Sequence, residues 1–208
     1  MNPTLTKAAA NLKRRAGATV HSLPAIWLMS DDNRLTDPAT AAATLPRGAA
    51  VIFRHYAAPD RKALAMRLAG ICRRRGLKLI IAGDWRLAAA SGAAGLHLAE
   101  HAARRGPEAG ARLWLKRKWL TLAAHGPVSL RRAGHFNAAA VLLSPVFTTA
   151  SHPDLPPLGH VRVASMTRTT RTPVMALGGI TARNIARLRH SGCAGIAGIG
   201  FALKAERK

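Results

Sequence analysis

The stretch Pro173 to Ile185, PVMALGGITARNI, sets two glycines at the end of an apolar run and follows them at once with a helix start. Val174 to Leu177 has the length and residue types of a short interior strand, and Thr181 is placed to cap a helix continuing through Asn184, Ile185, Leu188 and Arg189. Glycines at such a corner let an anion approach the main chain, and the free N–H groups of a helix start attract phosphate. A tight strand-to-helix turn without a ligand would use the same residues. What the stretch means therefore depends on the fold around it.

Outward from this point the chain repeats the same alternation. Short apolar runs lie at Ala25 to Ser30, Ala49 to His55, Leu77 to Gly83, Gly95 to Ala99, Leu120 to His125, Ala139 to Phe147, Val174 to Ile180 and Gly195 to Phe201. Between them apolar residues recur at helical spacing, most clearly over Arg61 to Arg75 and Ala182 to Ser191. Eight strands separated by helices predict a parallel sheet with right-handed crossovers, and eight is the number that closes a (β/α)8 TIM barrel. An open doubly wound sheet is the alternative. In a barrel the active site forms where strands end, and phosphate often binds after strands seven and eight. By this count GGIT closes strand seven and GIGF closes strand eight, which gives the glycine pair a phosphate-binding reading.

Composition narrows the classes. The 208 residues suit one domain, with residues 1–23 as a basic N-terminal extension, loose or helical, and 24–208 as the barrel. No run of eighteen apolar residues is present, and the N-terminus lacks the apolar core of a signal peptide, so the expectation is a cytoplasmic protein without a membrane role. Cys72 and Cys193 lack metal-site spacing and read as buried small residues. The net charge of +23 is compatible with phosphorylated metabolites, with nucleic acid, or with arginine-heavy codon usage. Because the cations are scattered along the chain and aromatics make up only 4%, nucleic-acid binding is set aside as the principal role.

A barrel would gather the residues that close its strands into one mouth. These are Asp31 and Asp32, Arg54, Asp84, His97 and Glu100, His125, and the segment carrying Ser144, Thr148, Thr149, Ser151 and His152. Together they supply a cation, carboxylates, imidazoles and hydroxyls, enough for phosphate binding and acid–base chemistry. His97, between Leu96 and Leu98, reads equally as a hydrogen-bonded interior histidine or a substrate contact. His125, before Gly126, reads as an exposed strand-end group. Arg54 needs an anionic partner, which a ligand phosphate or a carboxylate could supply.

In order and spacing, these residues resemble the thiamine phosphate synthase and TenI-like thiazole tautomerase superfamily from about Ala25 to Leu203. The segment IWLMSDDNRLTDP is similar to its first strand and loop, GAAGLHLAE to its Gly-Ala-Asp-Gly-Val-His-Leu stretch, LLSPVFTTASHPDLPPLG to its strand-six loop, and VMALGGITARNIARLRHSGCAGIAGIG to its last strands. The resemblance implies a TIM barrel enzyme acting in thiamine biosynthesis on a thiazole phosphate. The synthase couples that thiazole to a hydroxymethylpyrimidine pyrophosphate with magnesium; the tautomerase isomerises the thiazole carboxylate phosphate beforehand. A non-catalytic barrel binding thiamine phosphate or a precursor is a further reading. By position, the resemblance places the phosphate on Gly178, Gly179, Ile199 and Gly200. It matches Thr149 and Ser151 to a hydroxyl pair that binds substrate, and Arg54 and His125 to catalysis; His152 and His97 are further substrate-binding candidates from their own places in the sequence.

The sequence also departs from the resemblance. The Gln and Lys flanking the family's arginine are Ile52 and Tyr56, the pyrophosphate lysine is His152, and the serine before the histidine is Ala123. The Asn-Asp pair falls on Ala82 and Gly83, or on Asp84 after a one-residue shift, and the second magnesium aspartate is Ala102. Asp84 and Glu100 are then the carboxylates left to hold Mg2+. The expected partner is a small phosphorylated thiazole or thiamine phosphate, and self-association into a homo-oligomer is left open.

Overall fold

A computed structural model describes residues 1–17, 20, 22–149 and 155–200. Its strands are β1 (Ile26–Met29), β2 (Ala50–Phe53), β3 (Lys78–Ala82), β4 (Gly95–Leu98), β5 (Trp119–Ala124), β6 (Ala140–Leu143), β7 (Val174–Leu177) and β8 (Gly195–Gly198). All pair in parallel, each with the next and β8 with β1, so the sheet closes into the eight-stranded barrel that the alternation predicts. The doubly wound alternative is excluded. β1, β2, β6 and most other strand positions are buried on both faces, as expected where helices cover the outside and side chains fill the inside.

The interior is solid at its lower end. β1 and β5 are not neighbours in the ring, so the ring contact between Trp27 and Trp119, with centroids 6.2 Å apart, crosses the barrel and plugs it. Gly95 on β4 and Gly195 on β8 leave room for this filling, since a Cβ at Gly95 would lie 2.3 Å from the Trp119 carbonyl and one at Gly195 2.4 Å from that of Ala25. Cys72 and Cys193 are both buried free thiols, and burial pushes the Cys72 thiol up to about 12.

The outer helices are α1 (Pro3–Arg15), α2 (Pro38–Ala43), α3 (Arg61–Arg75), α4 (Trp85–Ala90), α5 (Glu100–Ala103), α6 (Ala109–Leu115), α7 (Pro127–His135) and α8 (Gly159–Thr167). Within the segment read as a basic extension, α1 is capped by the Asn2 side chain and buries Leu5, Ala9 and Leu12. It packs against β8 and the segment after β7. The helix expected over Ala182 to Ser191 is instead a single 3-10 turn, Ile185–Leu188. Ile185 and Leu188 are buried by that one turn, so the apolar spacing is satisfied without a longer helix. Among the described residues no helix is long and apolar enough to cross a membrane.

Candidate active site at the mouth of the barrel

The strands end at a mouth containing a cleft of about 280 Å³. It spans the ends of β6, β7, β8, β1 and β2. Gly178 and Gly179 form one wall, Gly198, Ile199 and Gly200 a second, and Arg34 and Arg54 bring positive charge. Ser144, Thr148 and Thr149 add hydroxyls from the β6 loop. The four phosphate-binding candidates therefore converge with Arg54 and Thr149 on one cavity.

The glycine pair is built into the wall by backbone geometry. Both residues have left-handed φ, 97° at Gly178 and 64° at Gly179. A Cβ at Gly179 would stand 2.2 Å from the Thr148 carbonyl oxygen, so the β6 loop lies against bare backbone. Phe147 N–H donates to the Gly178 carbonyl and Val146 N–H to that of Leu177, tying the two loops together. Thr181 does not cap a helix: its own N–H donates to the Asn184 side chain, whose amide donates to the Gly179 carbonyl. The expected helix start is thus an Asn-braced loop, and any anion held here meets loop N–H groups rather than the end of a long helix.

Arg54 is carried at the end of β2 by a link between strands. Its backbone N–H donates to the Ser30 hydroxyl at 2.8 Å, and the same hydroxyl contacts Nδ1 of the buried His55 at 2.9 Å. The guanidinium lies 3.6 Å from Asp31 and is about one third exposed, so among the described residues it reaches the cleft with a single weak carboxylate contact. Asp31 also accepts from the N–H groups of Asn33 and Arg34, which folds the β1 loop around the cleft.

The other half of the mouth, from β3 to β5, is internally satisfied. Asp84 accepts from the Leu87 N–H as the cap of α4, and its second oxygen faces Arg61 at 3.3 Å. Arg61 is anchored by donating to the carbonyls of His55 and Ala82, each at 2.7 Å, and it lies over the rings of Phe53 and Tyr56. Glu100 is hydrogen-bonded to Nδ1 of His125. His97 is buried, with Nδ1 3.0 Å from Thr121 Oγ1, which also contacts the Leu96 carbonyl. Burial, aided by the charge of Arg54, pushes His97 down to about 3, so it stays neutral.

The residues present do not fit a magnesium ion. Mg2+ takes an octahedral oxygen shell with one or two free carboxylates. Asp84 is committed to a helix cap and an arginine, and Glu100 to a histidine. No group of three metal-ligating side chains occurs among the described residues.

Of the candidate residues, Arg54, Thr149, Gly178, Gly179, Ile199 and Gly200 line the cleft. His125 and Glu100 pair one strand away, Asp84 belongs to the Arg61 cluster, and His97 is enclosed within the barrel. Ser151 and His152 lie outside the described residues. Arg34, Ser30, His55 and Arg61 were not singled out by the sequence reading, although each shapes the mouth. Arg34 follows the acidic pair of the first loop, a placement that could have marked it; nothing in the run DRKAL distinguishes Arg61 from a solvated helix start.

A sequence profile of the thiamine monophosphate synthase family matches residues 27–201. A putative thiamine-phosphate synthase 2 of Aquifex aeolicus is 38% identical over 81 residues, covering 39% of this chain and 44% of that protein. A thiamine-phosphate synthase of Bacillus velezensis is 26% identical over 193 residues, covering 88% of this chain and 85% of its own length. Among solved structures, a thiamine phosphate pyrophosphorylase of Pyrococcus furiosus superposes with a TM-score of 0.70 at 20% identity over 91% of each chain, a likeness of fold.

Proposed function

We propose, from the premise that this chain belongs to the thiamine monophosphate synthase family, that it is a thiamine-biosynthetic enzyme resembling thiamine phosphate synthase and that its cleft binds a thiazole phosphate. The observation that carries this is the cleft itself, where two glycine-rich strand ends face Arg34 and Arg54. Backbone N–H groups and guanidinium donors suit a monophosphate, because charge-assisted hydrogen bonds to an anion are the strong ones. The setting is the cytoplasm.

A second reading has its own observation. Glu100 engages Nδ1 of His125, which fixes the tautomer and leaves Nε2 to exchange a proton. Together with carboxylates that do not fit magnesium, this favours a tautomerase-like step, in which a proton leaves one position of the heterocycle and returns at another. The synthase reaction instead breaks a carbon–oxygen bond to pyrophosphate, and magnesium is the group that normally neutralises the departing charge.

Titration with thiazole phosphate, followed by product assays with and without pyrimidine pyrophosphate and magnesium, tests both. Binding with magnesium-dependent thiamine phosphate formation supports the synthase. Binding with isomerisation that His125→Ala abolishes supports the tautomerase. Absence of thiazole phosphate binding overturns both.

A further inference from the structure

We propose that the base of the barrel, the face opposite the mouth, docks the phosphodiester backbone of duplex nucleic acid. In sequence the positive charge is scattered, and the fold leaves a share of it at the base with no carboxylate beside it. Helices return antiparallel to the strands, so helix C-termini and the loops entering strands gather at the base. Arg47 precedes β2, Arg74 lies in the last turn of α3, Lys78 opens β3, Lys116 precedes β5, Arg171 precedes β7 and Arg189 precedes β8; all are exposed.

The carboxylates are segregated the other way. Asp31, Asp32, Asp37, Asp60, Asp84 and Glu100 each lie between the end of a strand and the first residue of the following helix, on the mouth side. Glu108, the remaining described acid, immediately precedes α6 and pairs with Arg86 near the start of α4. Consequently, among the described residues no ion pair includes any of the six base cations. Favourable interaction with a helix C-terminus accounts for Arg74, but not for Arg47, Lys78 and Arg171, which lie outside helices.

An array of like charges without intervening carboxylates repels itself, and a polyanion both relieves that repulsion and releases its own condensed counterions. The groove where β6 and β7 begin adds polar and basic lining from Arg131, Asn137, Thr170 and Arg171. A bilayer surface fits less well, because it requires apolar insertion. Of the large exposed apolar side chains, Tyr56, Val128, Leu155 and Val161 belong to the mouth side, Met66 to the middle of α3, and Leu113 alone approaches the base. Because the mouth faces away, docking leaves the cleft open.

The test is fluorescence anisotropy of the full chain with a mixed-sequence duplex of about 20 base pairs across a salt series. The expected result is binding at near-physiological salt with a steep salt dependence. The triple variant Arg74→Glu, Lys78→Glu, Arg171→Glu should lose at least about tenfold in affinity and reduce the log–log salt slope by about three, one per phosphate contact. Lys62→Glu, on the mouth-side turn of α3, should bind as the wild type does. If the reversed triple does not fold, its neutral Gln counterpart decides, with the same loss of slope expected. No duplex binding, equal losses in the base and Lys62 variants, or tighter binding to phosphatidylserine-containing vesicles than to duplex overturns the proposal.

Discussion

The two halves of the mouth hold similar polar inventories and use them differently. From β6 round to β2, the glycine-rich strand ends and the arginines Arg34 and Arg54 line an open cleft. From β3 to β5, the polar side chains face each other: Asp84 meets Arg61, Glu100 meets His125, and His97 meets Thr121. A carboxylate or imidazole at a strand end is thus not a site until its partners are known. In this molecule the open half is suited to hold an anion, and the closed half holds its own groups in place, with Nε2 of His125 outside that pairing.

The largest expected contrast lies between two left-handed glycines, one in each half. Gly179→Ala would drive a Cβ into the Thr148 carbonyl, whereas Gly83→Ala would meet only the Tyr56 ring edge at 3.2 Å. The first should lower stability by about 3 kcal/mol and abolish phosphate binding; the second should cost about 1 kcal/mol, mostly in backbone conformation, and leave binding intact. Chemical denaturation alongside calorimetric titration reads both. Equal losses would erase the distinction between the halves.

Two arginines sharpen the same contrast. Arg54→Ala should weaken phosphate binding by about 10- to 100-fold with little change in melting, since it removes a charged donor whose one ion-pair partner among the described residues, Asp31, is weakly held. Arg61→Ala should do the reverse, because it strands the carbonyls of His55 and Ala82 and the carboxylate of Asp84. The expected destabilisation is about 2 kcal/mol, with the affinity of the cleft retained.

Much of the barrel was legible in the sequence because strands covered on both faces are written as mostly apolar runs, and all eight runs contain a strand. The helix after β7 was not legible. Its apolar pair, Ile185 and Leu188, fits one 3-10 turn as well as a helix, and only the packing of α1 against that segment shows which is used. The glycine pair was readable as a special corner, but its closest constraint, the carbonyl of Thr148, comes from a loop some thirty residues earlier. The Asp84 partnership was hidden for the same reason: Arg61 sits on another element, and a helix-start arginine carries no mark of the carboxylate it will reach.

His97 gives the closed half a pH signature. Its folded value, about 3, lies below its ordinary 6.5, so between those limits the unfolded chain binds more protons than the folded one. Stability from this group is therefore complete above pH 6.5 and declines as pH falls, by about 1 kcal/mol for each pH unit. Melting measured from pH 7 to 5 should show the decline in the wild type and a shallower one in His97→Gln. A parallel pair of curves would remove the interior histidine from the account.

The smallest expected effect tests the closed half most directly. If Asp84 and Glu100 are already held by Arg61 and His125, magnesium must displace one of those partners to enter, and free Mg2+ should change the affinity of the cleft for thiazole phosphate by less than about twofold. Asp84→Asn should leave that insensitivity in place while weakening the cap of α4, because the amide oxygen can still accept from Leu87 N–H but no longer attracts Arg61. A strong magnesium response in the wild type that Asp84→Asn removes would mean that the carboxylate exchanges Arg61 for the metal when substrate arrives. The two halves would then be one site with two states, and the synthase reading would gain the metal seat that the structure does not otherwise supply.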